Sequence, residues 1–177
     1  MIRRAFSVSK KFDLAVIGAG PGGYVAAIKA AQLGLSTVCI EKRGKLGGTC
    51  LNVGCIPSKT LLNISHKYHD MHNLSHLGLS IKGEASFDWS SVQTAKDKVV
   101  SGLTDGIEFL FKKNKVEYLK GAGKLLGNKK LEISDSSGIS IIEADNILIA
   151  TGSDITCPKG FSIDEKVFVS STGALSL

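Results

Sequence analysis

A short apolar run that ends in glycine constrains the fold of this chain more than any other feature. Residues 12–17, Phe-Asp-Leu-Ala-Val-Ile, read as a buried parallel strand. Gly18-Ala19-Gly20-Pro21-Gly22-Gly23 follow at once and fit G-x-G-x-x-G through Gly18, Gly20 and Gly23. Gly18 permits the tight turn out of the strand, Gly20 lets a pyrophosphate approach the backbone, and Gly23 lets the next helix pack close to the strand. That helix is expected over residues 22–33, rich in alanine and stopped by Gly34. A second strand over residues 36–40 ends in Glu41, in the window about 20 residues past the glycines where a ribose-hydroxyl acceptor belongs. Strand, glycine turn, helix, second strand and terminal acid in this order specify an α/β dinucleotide-binding unit. The motif by itself does not separate FAD from NAD.

A second motif follows in Gly47-Gly48-Thr49-Cys50-Leu51-Asn52-Val53-Gly54-Cys55-Ile56-Pro57-Ser58-Lys59. Two cysteines at this spacing can be a structural disulfide, part of a metal site or unrelated buried thiols. Zinc sites usually pair such a motif with a second ligand pair, whereas Cys39 and Cys157 stand alone. A structural disulfide goes with export, and no secretory signal is visible. The glycines precede a helical pattern over residues 50–69, whose N-terminal amides and dipole favour thiolate over thiol. Gly54 and Pro57 are expected to loosen its first turns, because an unbroken helix separates positions i and i+5 too far for an S–S bond. A short-loop disulfide at a helix start is easily reduced and suits catalysis better than structure.

These residues closely resemble the redox-active motif of the pyridine nucleotide–disulfide oxidoreductases, a family of FAD enzymes. Within it, Gly20-Pro21-Gly22-Gly23-Tyr24-Val25-Ala26-Ala27-Ile28, Ile56-Pro57-Ser58-Lys59, the segment 146–153 and the closing Ser170-Ser171-Thr172-Gly173-Ala174-Leu175 are most similar to the branch that oxidises dihydrolipoyl groups. Glutathione reductases typically carry a lysine where Ser58 stands. The resemblance implies a Rossmann-like FAD-binding domain: a parallel sheet with helices and a small antiparallel excursion, incomplete relative to the family. It implies that Cys50 is the thiol that meets substrate sulfur and that Cys55 lies against the flavin, the two forming a redox disulfide. Lys59 would sit near the flavin N5 edge, and Glu41 would bind the adenosine ribose. Gly123 would touch the adenine side, and Ala150-Thr151-Gly152-Ser153 would close around the dinucleotide. Pro21, Gly22, Lys42, Gly48 and Thr49 complete the implied FAD contacts.

The same resemblance implies NAD⁺ as co-substrate, lipoyl domains of 2-oxoacid dehydrogenase or glycine-cleavage complexes as partners, and a homodimer. Family members continue well past residue 177, with a second glycine fingerprint and a His–Glu acid–base pair. The chain is therefore expected to be a fragment that is inactive alone. Two alternatives stay open: a related disulfide or mercuric reductase, and a non-catalytic FAD-binding fragment.

Elsewhere, Asp88 or Ser90 is expected to cap a helix reaching residue 113, with Val92, Val99, Leu103, Ile107 and Leu110 on one face. Residues 116–119 read as a strand, 129–134 and 139–143 as a hairpin around Asp135-Ser136-Ser137-Gly138, and 147–150 as a last buried strand. His66, His69, His72 and His76 lack the Asp, Glu or Cys partners of a metal site. Residues 1–11 hold four basic residues and no acid, as a targeting segment for the mitochondrial matrix or a related organelle would, with a cytoplasmic location as the alternative. Removing those four charges from the formal +6 leaves +2, which does not call for nucleic acid. No apolar run approaches the roughly 18 residues of a membrane span. The expected layout is thus a targeting segment (1–11), an FAD-binding segment bearing the dithiol (12–154) and a linker (155–177).

Overall fold

The computed structural model describes residues 10–177, so the expected targeting segment lies outside the described residues except for Lys10 and Lys11. In chain order the elements are β1 (Lys11–Ile17), α1 (Pro21–Gln32), β2 (Thr37–Glu41), α2 (Gly48–Val53), α3 (Cys55–His72), a 3-10 turn (Leu74–Leu77) and α4 (Trp89–Asn114). They continue with β3 (Glu117–Lys120), β4 (Ala122–Gly127), β5 (Lys130–Asp135), β6 (Gly138–Ile149) and α5 (Ser171–Ala174). The chain divides into two compact units, Met1–Gly48 with Thr104–Asp154, and Thr49–Leu103 with Ile155–Leu177.

The first unit is built on one six-stranded sheet in the order β3-β2-β1-β6-β5-β4. β3, β2, β1 and β6 run parallel, and β6, β5 and β4 run antiparallel. The expected hairpin and the expected last strand turn out to be one continuous element. β6 pairs with β5 over Gly138–Glu143 and with β1 from Glu143 to Ile149, handing over at Glu143. An alternating segment and an apolar segment read from sequence as two strands because burial changes where the partner changes. Residues 147–150 are not deeply buried either: Leu148 and Ile149 are exposed. β4 went unread, since a glycine-rich, half-polar stretch lacks the β-branched pattern of a strand.

The core lies between the parallel strands and the antiparallel ones. Phe12, Ala15, Ile17, Val38 and Ile40 pack with Leu131, Ile133, Ile142 and Ala144. The opposite face of β1 meets α1, which ends as expected at Gly34. There Leu35 N–H donates to Ala30 O and Gly34 N–H to Ala31 O, both at close to 3 Å (3.1 and 3.0 Å), in a Schellman arrangement.

The second unit holds α3 and the first part of α4. Asp88 caps α4, its carboxylate accepting from Ser90 N–H (3.2 Å) and Ser91 N–H (3.0 Å). The expected apolar face of α4 is only partly right. Ile107 is buried, but Val99, Leu103 and Leu110 are exposed. The buried stripe runs through Lys96, Thr104, Ile107 and Phe111, and a lysine and a threonine hid it from a hydrophobicity reading. Lys96 is tolerated because its Nζ donates to Gln93 Oε1 (2.6 Å) and Leu175 O (2.7 Å) and pairs with Asp97 (3.2 Å).

Leu131 is fully buried at the centre of the sheet core. Leu131→Ala should therefore lower unfolding free energy by about 2–5 kcal/mol, measured by urea titration of the folded chain, through lost apolar burial and the cavity left behind. A loss below about 0.5 kcal/mol would mean that the hairpin does not pack there.

Candidate functional site

Each unit carries a candidate group of its own. In the first, β1 delivers the chain into the glycine turn at the end of the parallel strands. Gly18 N–H donates to Ile40 O (2.8 Å) and Ala150 N–H donates to Ile17 O (2.8 Å), so the turn is pinned from both neighbouring strands. A Cβ on Gly23 would lie 1.8 Å from Gly18 O, which is why no larger residue can stand at this helix–strand seam. A Cβ on Gly48 would fall 2.5 Å from Gly20 Cα, and Gly48 also has a positive φ of 59°. Two stretches of bare backbone thus lie together, held by Gly47 N–H donating to Ala19 O at 2.8 Å.

Glu41 closes this cradle. It is buried at the end of β2, its Oε2 accepting from Ala19 N–H (2.8 Å) and its Oε1 from Arg43 N–H (2.8 Å). Each oxygen keeps a further lone pair for a hydroxyl donor. No side chain caps α1, and no acid lies in its first turn. Its N-terminal amides and dipole therefore suit an anion. Gly123, on β4, lies over Ile17 and Ile40, and Gly121 N–H donates to Glu41 O (3.0 Å). Thr151, Gly152 and Ser153 are exposed just beyond Ala150, and Lys42 is exposed beside Glu41. Bare backbone, anion-directed amides and an acid at the second strand fit the pyrophosphate and adenosine ribose of a dinucleotide such as FAD.

In the second unit, Cys50 lies within α2 and Cys55 is the first residue of α3. The helical pattern is broken between them at Gly54, whose φ of −149° and ψ of −114° are not helical. This is the loosening the sequence predicts. Ser58 N–H donates to Gly54 O (3.1 Å) and Ser58 Oγ to Cys55 O (3.2 Å), while Pro57 is buried beneath the turn. Both cysteines are thiols here, and a side-chain hydrogen bond joins them. That bond, with a smaller part from burial, pushes the Cys50 thiol up, while the Cys55 amide and the Lys59 ammonium pull it down. The expectation that a helix start favours thiolate is therefore corrected for Cys50. In the reduced pair, losing the shared proton costs the S–H···S bond, and this outweighs amide and lysine. Lys59 sits one helical turn after Cys55 and supplies the cation facing the pair.

Cys39 is different. It is buried in β2, and desolvation, with Glu41 nearby, raises its thiol to about 12. Cys157 is exposed, its thiol donating to Phe161 O (3.1 Å). The four histidines are exposed on and after α3; His66 reaches Asp70 at 3.9 Å and His72 packs edge-on to Tyr68. Among the described residues no group of three or more His, Cys, Asp or Glu is placed to hold a metal ion, and no helix is long and apolar enough to cross a membrane. Sequence reasoning missed Ser171, whose hydroxyl donates to Val53 O (3.3 Å) between the two cysteines. The signal was the serine pair before Thr172 and Gly173, since Ser170 is the N-cap of α5.

A dinucleotide cradle and a proton-sharing dithiol on one chain define a class: thiol–disulfide redox proteins built on a nucleotide-binding domain. The family model for pyridine nucleotide-disulphide oxidoreductases matches residues 12–176. The chain belongs to that family. It is 56% identical, over 94% of its length, to the mitochondrial dihydrolipoyl dehydrogenase of Schizosaccharomyces pombe, covering 33% of that protein. It is 53% identical over its whole length to a dihydrolipoyl dehydrogenase of Trypanosoma brucei brucei, covering 37% of it. The Cu(II) complex of the HOCl-induced flavoprotein disulfide reductase RclA from Escherichia coli superposes with a TM-score of 0.78 at 26% identity, over 95% of this chain and 35% of that one. The chain spans about a third of the length of the relatives it matches.

Burial of Cys39 has a measurable consequence. At pH 8, iodoacetamide should label the exposed Cys55 and Cys157 in the reduced folded protein and spare Cys39 until denaturant is added, as read by peptide mass mapping. The thiol is raised in the fold, so its contribution to stability is complete below its ordinary value of 9.0 and is lost as pH rises toward about 12. Tyr118, raised to about 12 chiefly by burial, acts in the same direction. Urea midpoints should therefore fall above pH 9, and labelling of native Cys39 at pH 8 would contradict its burial.

Proposed function

We propose that this chain is the FAD-binding, disulfide-bearing segment of a dihydrolipoamide dehydrogenase, and that Cys50 and Cys55 form its redox disulfide. The observation that carries this reading is the break at Gly54, which lets two thiols five positions apart share a proton beside Lys59. The similarity to dihydrolipoyl dehydrogenases supports the choice of substrate.

The chemistry follows from the placement of the chain's own residues. In the oxidised form, a thiolate of a dihydrolipoyl group attacks Cys50 Sγ. The Cys50–Cys55 bond breaks, and Cys55 leaves as a thiolate. The second substrate thiol, as thiolate, then attacks the lipoyl sulfur of the mixed disulfide, whose bond to Cys50 Sγ breaks, and Cys50 leaves as a thiolate. The lipoyl group is released as a disulfide, and both cysteines are left reduced. Two electrons have moved from substrate to protein, and the two substrate protons have been released or taken up by the thiolates. Gly18, Gly20, Pro21, Gly22, Gly23, Gly48 and Thr49 would hold the pyrophosphate, and Glu41 with Lys42 the ribose. Gly123 would meet the adenine, and Ala150, Thr151, Gly152 and Ser153 the remaining dinucleotide. FAD, when bound, supplies the two-electron acceptor that lets the pair pass on to NAD⁺.

On the same reading, residues 12–154 are the FAD-binding segment, 155–177 lead toward an NAD-binding domain, and 1–11 direct the protein to mitochondria. Its partners would be the lipoyl domains of 2-oxoacid dehydrogenase or glycine-cleavage complexes, and the whole enzyme a homodimer. The mitochondrial label of the S. pombe relative supports the location.

The test uses the oxidised 177-residue chain. Unreduced peptide mapping should link Cys50 to Cys55 and leave Cys39 and Cys157 free. Dihydrolipoamide should reduce that link, followed as two new alkylation sites, and Cys50→Ser or Cys55→Ser should abolish the exchange. A link through Cys39 or Cys157, or none at all, would overturn the assignment.

A further inference from the structure

The turn between the two cysteines is supported from outside by the tail of the second unit. Val53 is the last residue of α2, and the terminal carbonyls of a helix have no partner within it. One of these, Val53 O, receives the Ser171 hydroxyl at 3.3 Å. Ser171 is the first residue of α5, and the hydrogen bonds around α5 fix it in place. Ser170 Oγ accepts from Thr172 N–H at 3.1 Å and donates to the Glu165 carboxylate, which also accepts from Ser170 N–H at 3.1 Å. Before it, Asp164 Oδ1 gathers the amides of Lys166, Val167 and Phe168 at 2.9, 2.9 and 3.0 Å. After it, the buried Lys96 donates to Leu175 O at 2.7 Å, and Gln93 Nε2 to Leu177 O at 2.9 Å. A four-residue helix held in this way is a rigid abutment, and it presents one hydroxyl to the Cys50–Cys55 turn.

We propose that Ser171 is a positioning residue for the dithiol: by holding Val53 O it keeps the Gly54 turn in the shape that brings the two sulfurs together. This rests on the reading of Cys50 and Cys55 as a redox pair. An intramolecular disulfide forms more readily when its thiols are preorganised, because less chain entropy is lost on closing the ring. Losing the Ser171 bond should lower the effective concentration of one thiol at the other. A typical neutral hydrogen bond, at a net ~0.5–1.5 kcal/mol, corresponds to roughly a two- to tenfold change.

The measurement is a glutathione redox titration of the 177-residue chain. Oxidised glutathione takes two electrons from the cysteine pair. The Cys50–Cys55 bond forms as the glutathione disulfide breaks, and the two thiol protons end on two glutathione thiols. The fraction oxidised is read by alkylation and mass. Ser171→Ala should weaken disulfide formation by about threefold, a shift of about 14 mV toward a more oxidising potential at 29.6 mV per tenfold. Ser171→Thr, which keeps the hydroxyl, should restore the wild-type value. Ser176→Ala, which removes another hydroxyl of the same tail, bonded only to Thr172 O, should leave it unchanged. Far-UV circular dichroism shows whether each variant is folded. A folded Ser171→Ala with the wild-type potential would overturn the proposal while leaving the redox pair intact. So would an equal shift in Ser176→Ala, since the effect would then be general to the tail. If the wild-type chain forms no Cys50–Cys55 disulfide in any glutathione ratio, the functional reading fails and this inference falls with it.

Discussion

The seam between β1 and α1, which leaves no room for a side chain at Gly23, sets the position of almost everything else in the first unit. Because the helix can approach so closely, its first turn starts directly behind the end of the strand. The amide of Ala19 then comes within reach of Glu41 from β2, and its carbonyl within reach of Gly47. Ala150, at the end of β6, reaches Ile17 from the other side. Three segments, the end of β2, the Gly47 turn and the end of β6, therefore converge on residues 17–20. A single methyl group at Gly23 would push the helix away and part them all, so the seam governs both packing and the shape of the anion cradle.

The second unit solves a different problem. On the proposed reading, two cysteines must be close enough to exchange electrons yet not locked into one redox form. The chain meets this by placing them on separate helical segments, Cys50 within α2 and Cys55 at the start of α3, with a non-helical glycine between them. The neighbouring charge and amides favour one thiolate, while the bond between the sulfurs favours the shared proton. The balance raises the Cys50 thiol in the reduced pair.

Much of this was legible in the sequence, and the reasons differ by element. The parallel core was readable because residues 12–17, Gly18, Gly20, Gly23 and Glu41 encode a local unit whose parts are adjacent in the chain. The Asp88 cap and the Gly34 stop were readable because side-chain and backbone chemistry at helix ends is local. The joining of 138–149 into one strand was not, since it depends on β1 and β5, distant in the chain. The buried stripe of α4 was hidden for a related reason: Lys96 is inside because Leu175, far along the chain, supplies a carbonyl. For the site, residue types and spacing pointed to dithiol and cradle. They could not show that the bond to Cys55 raises the Cys50 thiol, nor that Ser171 reaches Val53 O, because both depend on groups brought together by the fold.

The order β3-β2-β1-β6-β5-β4 has a consequence for how this protein behaves when crowded. Its two outermost strands are consecutive in the chain, with only Gly121 between them. The sheet must therefore curl, and Gly121 N–H bonds back to Glu41 O where a flat sheet would leave an open border. An open border of unpaired amides and carbonyls is a template for strands of other molecules. Here β3 is only four residues long, and β4 is interrupted by an irregularity between Leu125 and Gly127. Neither offers a long, straight line of hydrogen-bonding groups to a neighbour. The curl that brings Gly123 over Ile17 and Ile40 thus also guards the fold against edge-to-edge aggregation.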